Sequence, residues 1–182
     1  MSYTGVVLLG GASRRYGSDK ALALHNGRPM AQHAIDALQL AGAADVVTVG
    51  GSNRGFAVPH WPDLYPGEGP LGALITACHT ASSEHVVLMA CDLPFVRAET
   101  ISALVQCAKE HTNVEVVAAL TDRLEPLCAV YRRSESLSAA QKLFDGGARS
   151  LQELLVQLKV MGFPITDLQE LRNVNKPQDH LT

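Results

Sequence analysis

Short apolar runs alternate with helical patterns along the whole of this chain. Strand-like runs are predicted at residues 5–9, 46–49, 86–90, 114–119 and 128–131. Helices are predicted at residues 30–40, 71–80, 99–109, 136–144 and 150–158. Strands and helices that alternate in this way form a mostly parallel sheet with helices on both faces. We therefore predict one three-layer α/β/α domain, Rossmann-like in arrangement, over residues 1–182.

Composition and length narrow the classes of protein to which the chain can belong. With 182 residues, 47% of them hydrophobic and 18% charged, it has the proportions of a globular protein with a sizeable core. No apolar stretch approaches the roughly 20 residues of a membrane helix, and residues 6–9 are too short for a signal peptide. The net charge of −3 argues against general nucleic-acid binding. We expect a cytoplasmic protein that binds neither membranes nor nucleic acid.

The cysteines and histidines show no metal-binding pattern. The four cysteines stand singly among apolar neighbours, and the seven histidines lack the tight spacing of zinc ligands. We predict buried, reduced thiols and no zinc site.

The first apolar run opens into a glycine-rich loop that carries positive charge. Gly10 and Gly11 begin this loop. Residues 10–28 have a local charge of +3, from Arg14, Arg15, Lys20 and Arg28 against Asp19. Glycines let backbone N–H groups approach a ligand closely, and the cations suit a strong anion. The loop matches neither a Walker P-loop nor a G-x-G-x-x-G fingerprint. The prediction is a nucleotide polyphosphate site, and the alternative is a solvated charged surface.

A second loop with a candidate functional residue follows the apolar run at 86–90. Asp92 lies between that run and Pro94. Ligands of open α/β sheets bind outside the carboxyl ends of the strands, so Asp92 and the basic loop face one crevice if their strands are parallel neighbours. A carboxylate there suits Mg²⁺, which takes one or two carboxylates together with phosphate oxygens. Alternatively, Asp92 caps a turn or the helix near Glu99.

Two further segments allow both a structural and a functional interpretation. Residues 61–72 form either a stiff surface loop or a wall of the nucleotide pocket. In the second case Asp63 accepts hydrogen bonds from a base or ribose, and the helix N-terminus near Leu71 offers N–H groups to an anion. Asn173 and Asn175 either satisfy the backbone of a turn or reach a second substrate.

Together these stretches resemble the molybdenum cofactor guanylyltransferases, a family with the nucleotidyltransferase-like α/β fold. The similarity runs in the same order along nearly the whole chain, through residues 8–20, 26–29, 69–72, 91–95, 125–127 and 173–177. Leu9, Tyr16 and Lys176 differ from the alanine, methionine and threonine usual in that family. The Gly10–Gly11 pair resembles the guanine-using branch more than the related cytidylyltransferases.

The resemblance implies a role for each matching residue. Leu8, Leu9 and Gly10 are implied to hold the nucleotide through their backbone, and Gly11 to form the phosphate turn. The remaining implied roles are catalytic phosphate-binding cations at Arg15 and Lys20, a nucleotide contact at Asp63, a catalytic Mg²⁺ ligand at Asp92, and second-substrate contacts at Asn173 and Asn175. The pterin pocket is expected in the C-terminal half, around residues 125–127, Arg149 and residues 173–175.

The implied reaction is transfer of GMP from GTP to the terminal phosphate of molybdopterin, with Mg²⁺ as cofactor and release of pyrophosphate. Molybdoenzymes or their chaperones would receive the product. Two alternatives remain open from the sequence. One is nucleotidyl transfer of another kind, from CTP to a related cofactor or to a sugar phosphate. The other is a non-catalytic protein that binds the nucleotide or the cofactor as an adaptor.

Overall fold

A seven-stranded sheet with helices on both faces is the framework of the computed structural model, which describes residues 1–9 and 19–174. The strands in chain order are β1 (Tyr3–Leu8), β2 (Leu24–His25), β3 (Arg28–Pro29), β4 (Asp45–Val49), β5 (His60–Trp61), β6 (His85–Ala90), β7 (Val116–Leu120), β8 (Leu124–Arg132) and β9 (Val160–Pro164). The helices are α1 (Met30–Leu40), α2 (Pro70–Thr80), α3 (Ala98–Glu110), α4 (Arg133–Asp145) and α5 (Leu151–Gln157). A one-turn 3-10 helix follows at Leu168–Leu171.

The strand order places the first and sixth strands side by side at the centre of the sheet. That order is β5-β4-β1-β6-β8-β7-β9, and β2 pairs with β3 in a separate hairpin. β1 is parallel to both β4 and β6, and its last residue, Leu8, lies opposite Val49 and Ala90. The loops that follow β1, β4 and β6 therefore leave the sheet at the same edge, which we call the carboxyl edge.

Two hydrophobic cores lie on opposite faces of the sheet because successive side chains of a strand point in opposite directions. Tyr3 and Val7 pack with residues of α1 and α3, whereas Val6 and Leu8 pack with residues of α2, α4 and α5. All six residues of β6 are buried, as expected of a strand covered on both faces. The predicted mostly parallel sheet between two helical layers is confirmed.

Several strands differ from the sequence prediction. The predicted strand at 128–131 is the end of a longer strand, β8, which begins at Leu124 and runs antiparallel to β6 and β7. The short strands β2, β3 and β5, of two residues each, are not predicted from the sequence. β9 is also missed, since Gly162 and Pro164 interrupt its strand-like pattern.

The cysteines occupy the interior, as predicted. Cys78, Cys91 and Cys128 are buried free thiols, and Cys107 is a partly buried one. Burial raises the pKa of Cys78 and of Cys128 to about 12.

In the described part of the chain, no helix combines the length and apolar character needed to cross a membrane.

Candidate active site

Lys20 and Asp92 are in direct contact at the carboxyl edge. The Lys20 Nζ atom lies 2.5 Å from Asp92 Oδ2, and the two side chains are 19% and 21% exposed. Asp92 follows β6 by two residues, and Lys20 lies in the turn before β2. The structure thus brings Lys20, at the end of the basic loop, against Asp92, whereas residues 10–18 of that loop lie outside the described residues. Both groups remain accessible to a ligand from solvent.

Hydrogen bonds fix the backbone on both sides of Lys20. The carbonyl oxygen of Asp19 accepts from the N–H groups of Leu22 and Ala23, at 3.1 Å each. The Asp19 carboxylate reaches forward, and its Oδ1 atom accepts from the N–H of Ala21 at 3.1 Å. Ala21 is fully buried, and its carbonyl oxygen accepts from the N–H of Ala31 in the first turn of α1. The turn that carries Lys20 is therefore tied to a helix in the core.

Arg54 belongs to this cluster although the sequence analysis does not single it out. Its Nε atom donates to Asp19 Oδ2 at 2.5 Å, and its side chain is only 12% exposed. The sequence feature that could have identified Arg54 is its position in a glycine-rich turn after β4, a strand that ends at the same edge of the sheet. Asn53, its neighbour, accepts a hydrogen bond from the N–H of Gly55 within that turn.

The charges of this cluster act together on the buried thiol of Cys91. Burial is the main reason that the pKa of Cys91 is raised to about 12, and the Asp92 carboxylate contributes to that rise. Lys20 and Arg54 oppose this effect, and Asp19 reinforces it. The two acids and two bases are thus close enough to influence one group electrostatically.

Leu8 and Leu9 are buried where β1 ends at the carboxyl edge. Both side chains are 5% exposed, and the N–H of Leu9 donates to the Val49 carbonyl oxygen at 2.8 Å. The implied role of these residues, nucleotide binding through the backbone, is compatible with that burial. Gly10, Gly11 and Arg15 lie outside the described residues.

Asp63 organises the loop between β5 and α2. Its Oδ1 atom accepts from the N–H of Tyr65 at 3.0 Å and from the hydroxyl of Thr76 in α2 at 2.9 Å. Asp63 thus has a structural role, and its contact with a nucleotide stays a prediction. The N–H of Leu71 donates to the carbonyl oxygen of Arg149 at 3.3 Å. This amide is therefore not available to an anion as the sequence interpretation proposed.

Arg149 stabilises that loop from the other side. Its Nε atom donates to Glu68 Oε2 at 2.5 Å, and its guanidinium lies 4.0 Å from the centroid of the Phe144 ring. Arg149 therefore connects the loop before α2 to the loop after α4. Its expected place in a pterin pocket stays a prediction.

The C-terminal segment returns to the site beside Asp92. The N–H of Val174 donates to the Asp92 carbonyl oxygen at 3.1 Å, and the Val174 side chain is fully buried. Asn173, which precedes Val174, is exposed. The guanidinium of the residue before it, Arg172, lies 4.9 Å from the Phe95 ring centroid. Asn175 lies outside the described residues.

Glu170 anchors the C-terminal segment to the start of α3. It is 4% exposed, and its carboxylate accepts from the Thr100 hydroxyl at 2.5 Å and from the backbone and guanidinium of Arg97. Burial by itself would raise the pKa of Glu170, but the hydrogen bonds from Thr100 and Arg97 outweigh it. The pKa of Glu170 is therefore held below its ordinary value.

This lowered pKa predicts an acid-sensitive anchor. The ionised carboxylate contributes its full stabilisation at pH values above the unfolded-state pKa, which is near 4.5. That stabilisation is lost as the pH falls through the lower pKa of the folded state. We expect Glu170→Gln to lower the melting temperature by several degrees at pH 7, and the deficit to shrink as the pH is lowered below 4.5. Melting curves at several pH values test this, with the exposed Glu99→Gln as control. A deficit independent of pH would contradict it.

The carboxylate of Asp92 suits Mg²⁺ that is held mainly by a nucleotide. Among residues 1–9 and 19–174, no group of three or more histidine, cysteine, aspartate or glutamate side chains forms a metal cage. Mg²⁺ needs no such cage, since one or two carboxylates suffice when phosphate oxygens and water complete its six ligands. Asp92 offers a hard oxygen donor at the accessible edge, so the residues present fit this ion.

Known proteins share both the sequence pattern and the fold. A family model described as the MobA-like NTP transferase domain matches residues 5–160. The probable molybdenum cofactor guanylyltransferase of Opitutus terrae is 31% identical over 187 residues, covering 96% of this chain and 91% of the relative. The molybdenum cofactor guanylyltransferase of Xanthomonas euvesicatoria is 32% identical over 182 residues, covering 97% and 91%.

A solved structure has the same fold. The crystal structure of molybdopterin-guanine dinucleotide biosynthesis protein A from Archaeoglobus fulgidus superposes with a TM-score of 0.80 at 23% identity, covering 97% of this chain and 94% of that one. With the family match over most of the chain, and relatives above 30% identity along nearly its full length, the resemblance noted in the sequence is confirmed. The chain belongs to the MobA-like NTP transferase family.

Proposed function

We propose that this protein transfers GMP from GTP to the terminal phosphate of molybdopterin, which forms the guanine dinucleotide cofactor and releases pyrophosphate. The observation that carries the proposal is the contact between Lys20 and Asp92 at the carboxyl edge, where the glycine-rich segment leaves β1. The names of the relatives from Opitutus terrae and Xanthomonas euvesicatoria support GTP as the donor and the molybdenum cofactor as the acceptor.

The reaction needs alignment and charge compensation more than a general base. An oxygen of the molybdopterin phosphate attacks the α-phosphorus of GTP, and the bond from that phosphorus to the α–β bridging oxygen breaks. The electron pair of that bond leaves with pyrophosphate. A phosphate monoester is largely ionised near neutral pH, so the attacking oxygen carries its own charge. Catalysis then depends on holding the groups in line and on neutralising the leaving charge.

Lys20 is proposed to neutralise the leaving pyrophosphate. The triphosphate carries roughly −4 at neutral pH, and Lys20, Arg15 and one Mg²⁺ together supply about that much positive charge. Arg15 comes from the family pattern and is assigned as the second cation. In the structure Lys20 is paired with Asp92, so binding of GTP exchanges a carboxylate partner for phosphate oxygens. This exchange replaces one ion pair with another and keeps the ammonium neutralised throughout.

Asp92 is proposed to hold Mg²⁺ against the α-phosphate or the attacking phosphate. When bound there, Mg²⁺ supplies positive charge to phosphate oxygens without moving a proton. Asp92 also accepts the backbone N–H of Val174 through its carbonyl oxygen. The residue assigned to the metal therefore also holds the C-terminal segment through its backbone. This proximity supports second-substrate binding by Asn173 and Asn175.

The remaining assignments concern the nucleotide and the setting of the reaction. Backbone groups of Leu8, Leu9 and Gly10 and the phosphate turn at Gly11 are proposed to hold GTP, with Asp63 as a further contact. Four free cysteines suit a reducing compartment, which supports a cytoplasmic location. Molybdoenzymes or their chaperones remain the expected recipients of the product.

Nucleotide competition tests the function directly. Purified protein is incubated with molybdopterin, Mg²⁺ and one of GTP, CTP, ATP or UTP, and pyrophosphate release is measured while the product is identified by mass. We expect release with GTP and a product heavier by one GMP. A clear preference for CTP would make the protein a cytidylyltransferase. Binding of GTP without pyrophosphate release at saturating metal and molybdopterin would favour the adaptor.

A further inference from the structure

We infer that Arg54 is a positioning residue that acts through Asp19 on Lys20. The inference rests on the proposed function, since it assigns Lys20 to the phosphates of GTP. Two ion pairs follow one another along the chain, because Asp19 pairs with Arg54 and the next residue, Lys20, pairs with Asp92. Through these pairs the loops after β4, β1 and β6 meet at the carboxyl edge.

The turn after β4 is built around the guanidinium of Arg54. The Nη1 atom donates to the carbonyl oxygens of Gly50 at 3.3 Å and Ser52 at 2.6 Å. Gly51 has φ +61°, and a Cβ atom there would lie 2.7 Å from Nη1 and from Nη2 of Arg54. Only glycine allows this close approach. The guanidinium is therefore held by its own turn and presents its Nε atom to Asp19.

The two carboxylate oxygens of Asp19 accept hydrogen bonds from different partners. Its Oδ2 atom accepts from Arg54, and its Oδ1 atom accepts from the N–H of Ala21, across the residue that carries the ammonium group. The hydrogen bond to Ala21 fixes the backbone around Lys20 only while the carboxylate is held. Without Arg54, the carboxylate loses its charged partner and is free to rotate.

Electrostatics give Arg54 a second effect on Lys20. Arg54 neutralises Asp19, so Lys20 has Asp92 as its acidic partner and the four charged groups sum to zero. If Arg54 is removed, the cluster becomes negative, which disfavours a triphosphate, and the Asp19 carboxylate competes with phosphate for the Lys20 ammonium. Arg54 therefore supports both the geometry and the charge of the phosphate site. It does so without contacting the reacting atoms itself.

The test is a set of variants compared by kcat, KM and affinity for GTP. We expect Arg54→Ala to lower kcat/KM between about 10- and 100-fold, through both a lower kcat and weaker GTP binding. Arg54→Lys restores the charge but not the planar fork that bonds Gly50 and Ser52. It should recover most of the GTP affinity and little of the kcat, a split that a general loss of stability does not produce.

Combination with Lys20→Ala shows whether Arg54 acts through Lys20. If it does, Lys20→Ala/Arg54→Ala has nearly the same kcat/KM as Lys20→Ala alone. If the two losses multiply, Arg54 acts independently, for example by binding phosphate itself, and the inference is wrong. Asp19→Asn/Arg54→Ala should likewise be no worse than Arg54→Ala alone.

Arg132→Ala serves as the matched control. Arg132 is a partly buried arginine at the end of β8, away from the carboxyl edge, where it pairs with Glu135 and donates to the Thr112 carbonyl oxygen. We expect this variant to melt at a lower temperature with kcat/KM unchanged. If Arg132→Ala lost as much kcat/KM as Arg54→Ala, the effect of Arg54→Ala would be explained by lost stability of the fold, and the inference would be wrong.

Calorimetric titration with GTP separates this inference from the proposed function. If the unaltered protein binds GTP but transfers nothing to molybdopterin, the proposed function fails and the effect of Arg54 on GTP affinity is still measured. If transfer proceeds and Arg54→Ala binds GTP and turns over normally, the inference alone is overturned.

Discussion

Replacement of Lys20 by alanine is expected to lower kcat for guanylyl transfer by about 100-fold or more and to leave the melting temperature nearly unchanged. The ammonium group is assigned to the pyrophosphate, where negative charge grows as the α–β bond breaks. Loss of a preorganised charge partner of this kind costs roughly 3–4 kcal/mol in the transition state. The side chains of Lys20 and Asp92 are 19% and 21% exposed, so water can hydrate the carboxylate that the substitution leaves, and we expect the folded state to lose little stability.

Single-turnover and steady-state rates of pyrophosphate release measure this effect, and thermal melting followed by circular dichroism shows whether the fold is retained. Lys109→Ala is the matched control, because Lys109 is an exposed lysine in the last turn of α3. Its turnover should equal that of the unaltered protein. Normal turnover of Lys20→Ala would remove Lys20 from the mechanism. A variant that fails to fold would instead give Lys20 a structural role.

Asp92→Asn is expected to lower kcat by a similar factor, about 100-fold or more, and to raise the Mg²⁺ concentration needed for half-maximal activity. Asparagine keeps the shape of the side chain but not the charge that a hard cation requires. The backbone hydrogen bond from Val174 uses the carbonyl oxygen of Asp92 and is unaffected by the substitution. The C-terminal segment should therefore stay in place, and the effect should be chemical.

A titration of pyrophosphate release against Mg²⁺ at saturating GTP measures this prediction. Asp45→Asn provides the control, since Asp45 is an exposed aspartate at the first residue of β4, away from the carboxyl edge. That variant should have the Mg²⁺ dependence of the unaltered protein. The metal assignment is wrong if Asp92→Asn keeps an unchanged Mg²⁺ requirement, even when its turnover is reduced.

The central strands of the sheet can be predicted from the local sequence pattern, whereas several other strands depend on tertiary contacts. β1 and β6 are continuous apolar runs followed by loops with turn residues, so both their existence and their carboxyl ends are visible in the sequence. The antiparallel direction of β8 has no local signal, because pairing with β6 and β7 decides it. A strand of two residues such as β5 is too short to produce a pattern at all.

The same distinction holds for the candidate site. Lys20 and Asp92 were predictable because each follows a strand whose end lies at the carboxyl edge, where ligands of such sheets bind. Arg54 also follows a strand that ends at this edge, but no pattern in the sequence shows that it pairs with Asp19 or that Glu170 pairs with Arg97. Arg54 meets Asp19 across 35 residues, and Glu170 meets Arg97 across 73. In the sequence, both resemble ordinary charged residues of a surface turn.

A crystal structure of the protein with GTP and Mg²⁺ tests the central claim most directly, namely that Lys20 and Asp92 exchange their mutual contact for one shared triphosphate. The account predicts the Lys20 ammonium on the pyrophosphate oxygens, Asp92 on the metal, and the ion pair between Arg54 and Asp19 intact. GTP bound elsewhere, with Lys20 still paired to Asp92, would contradict it.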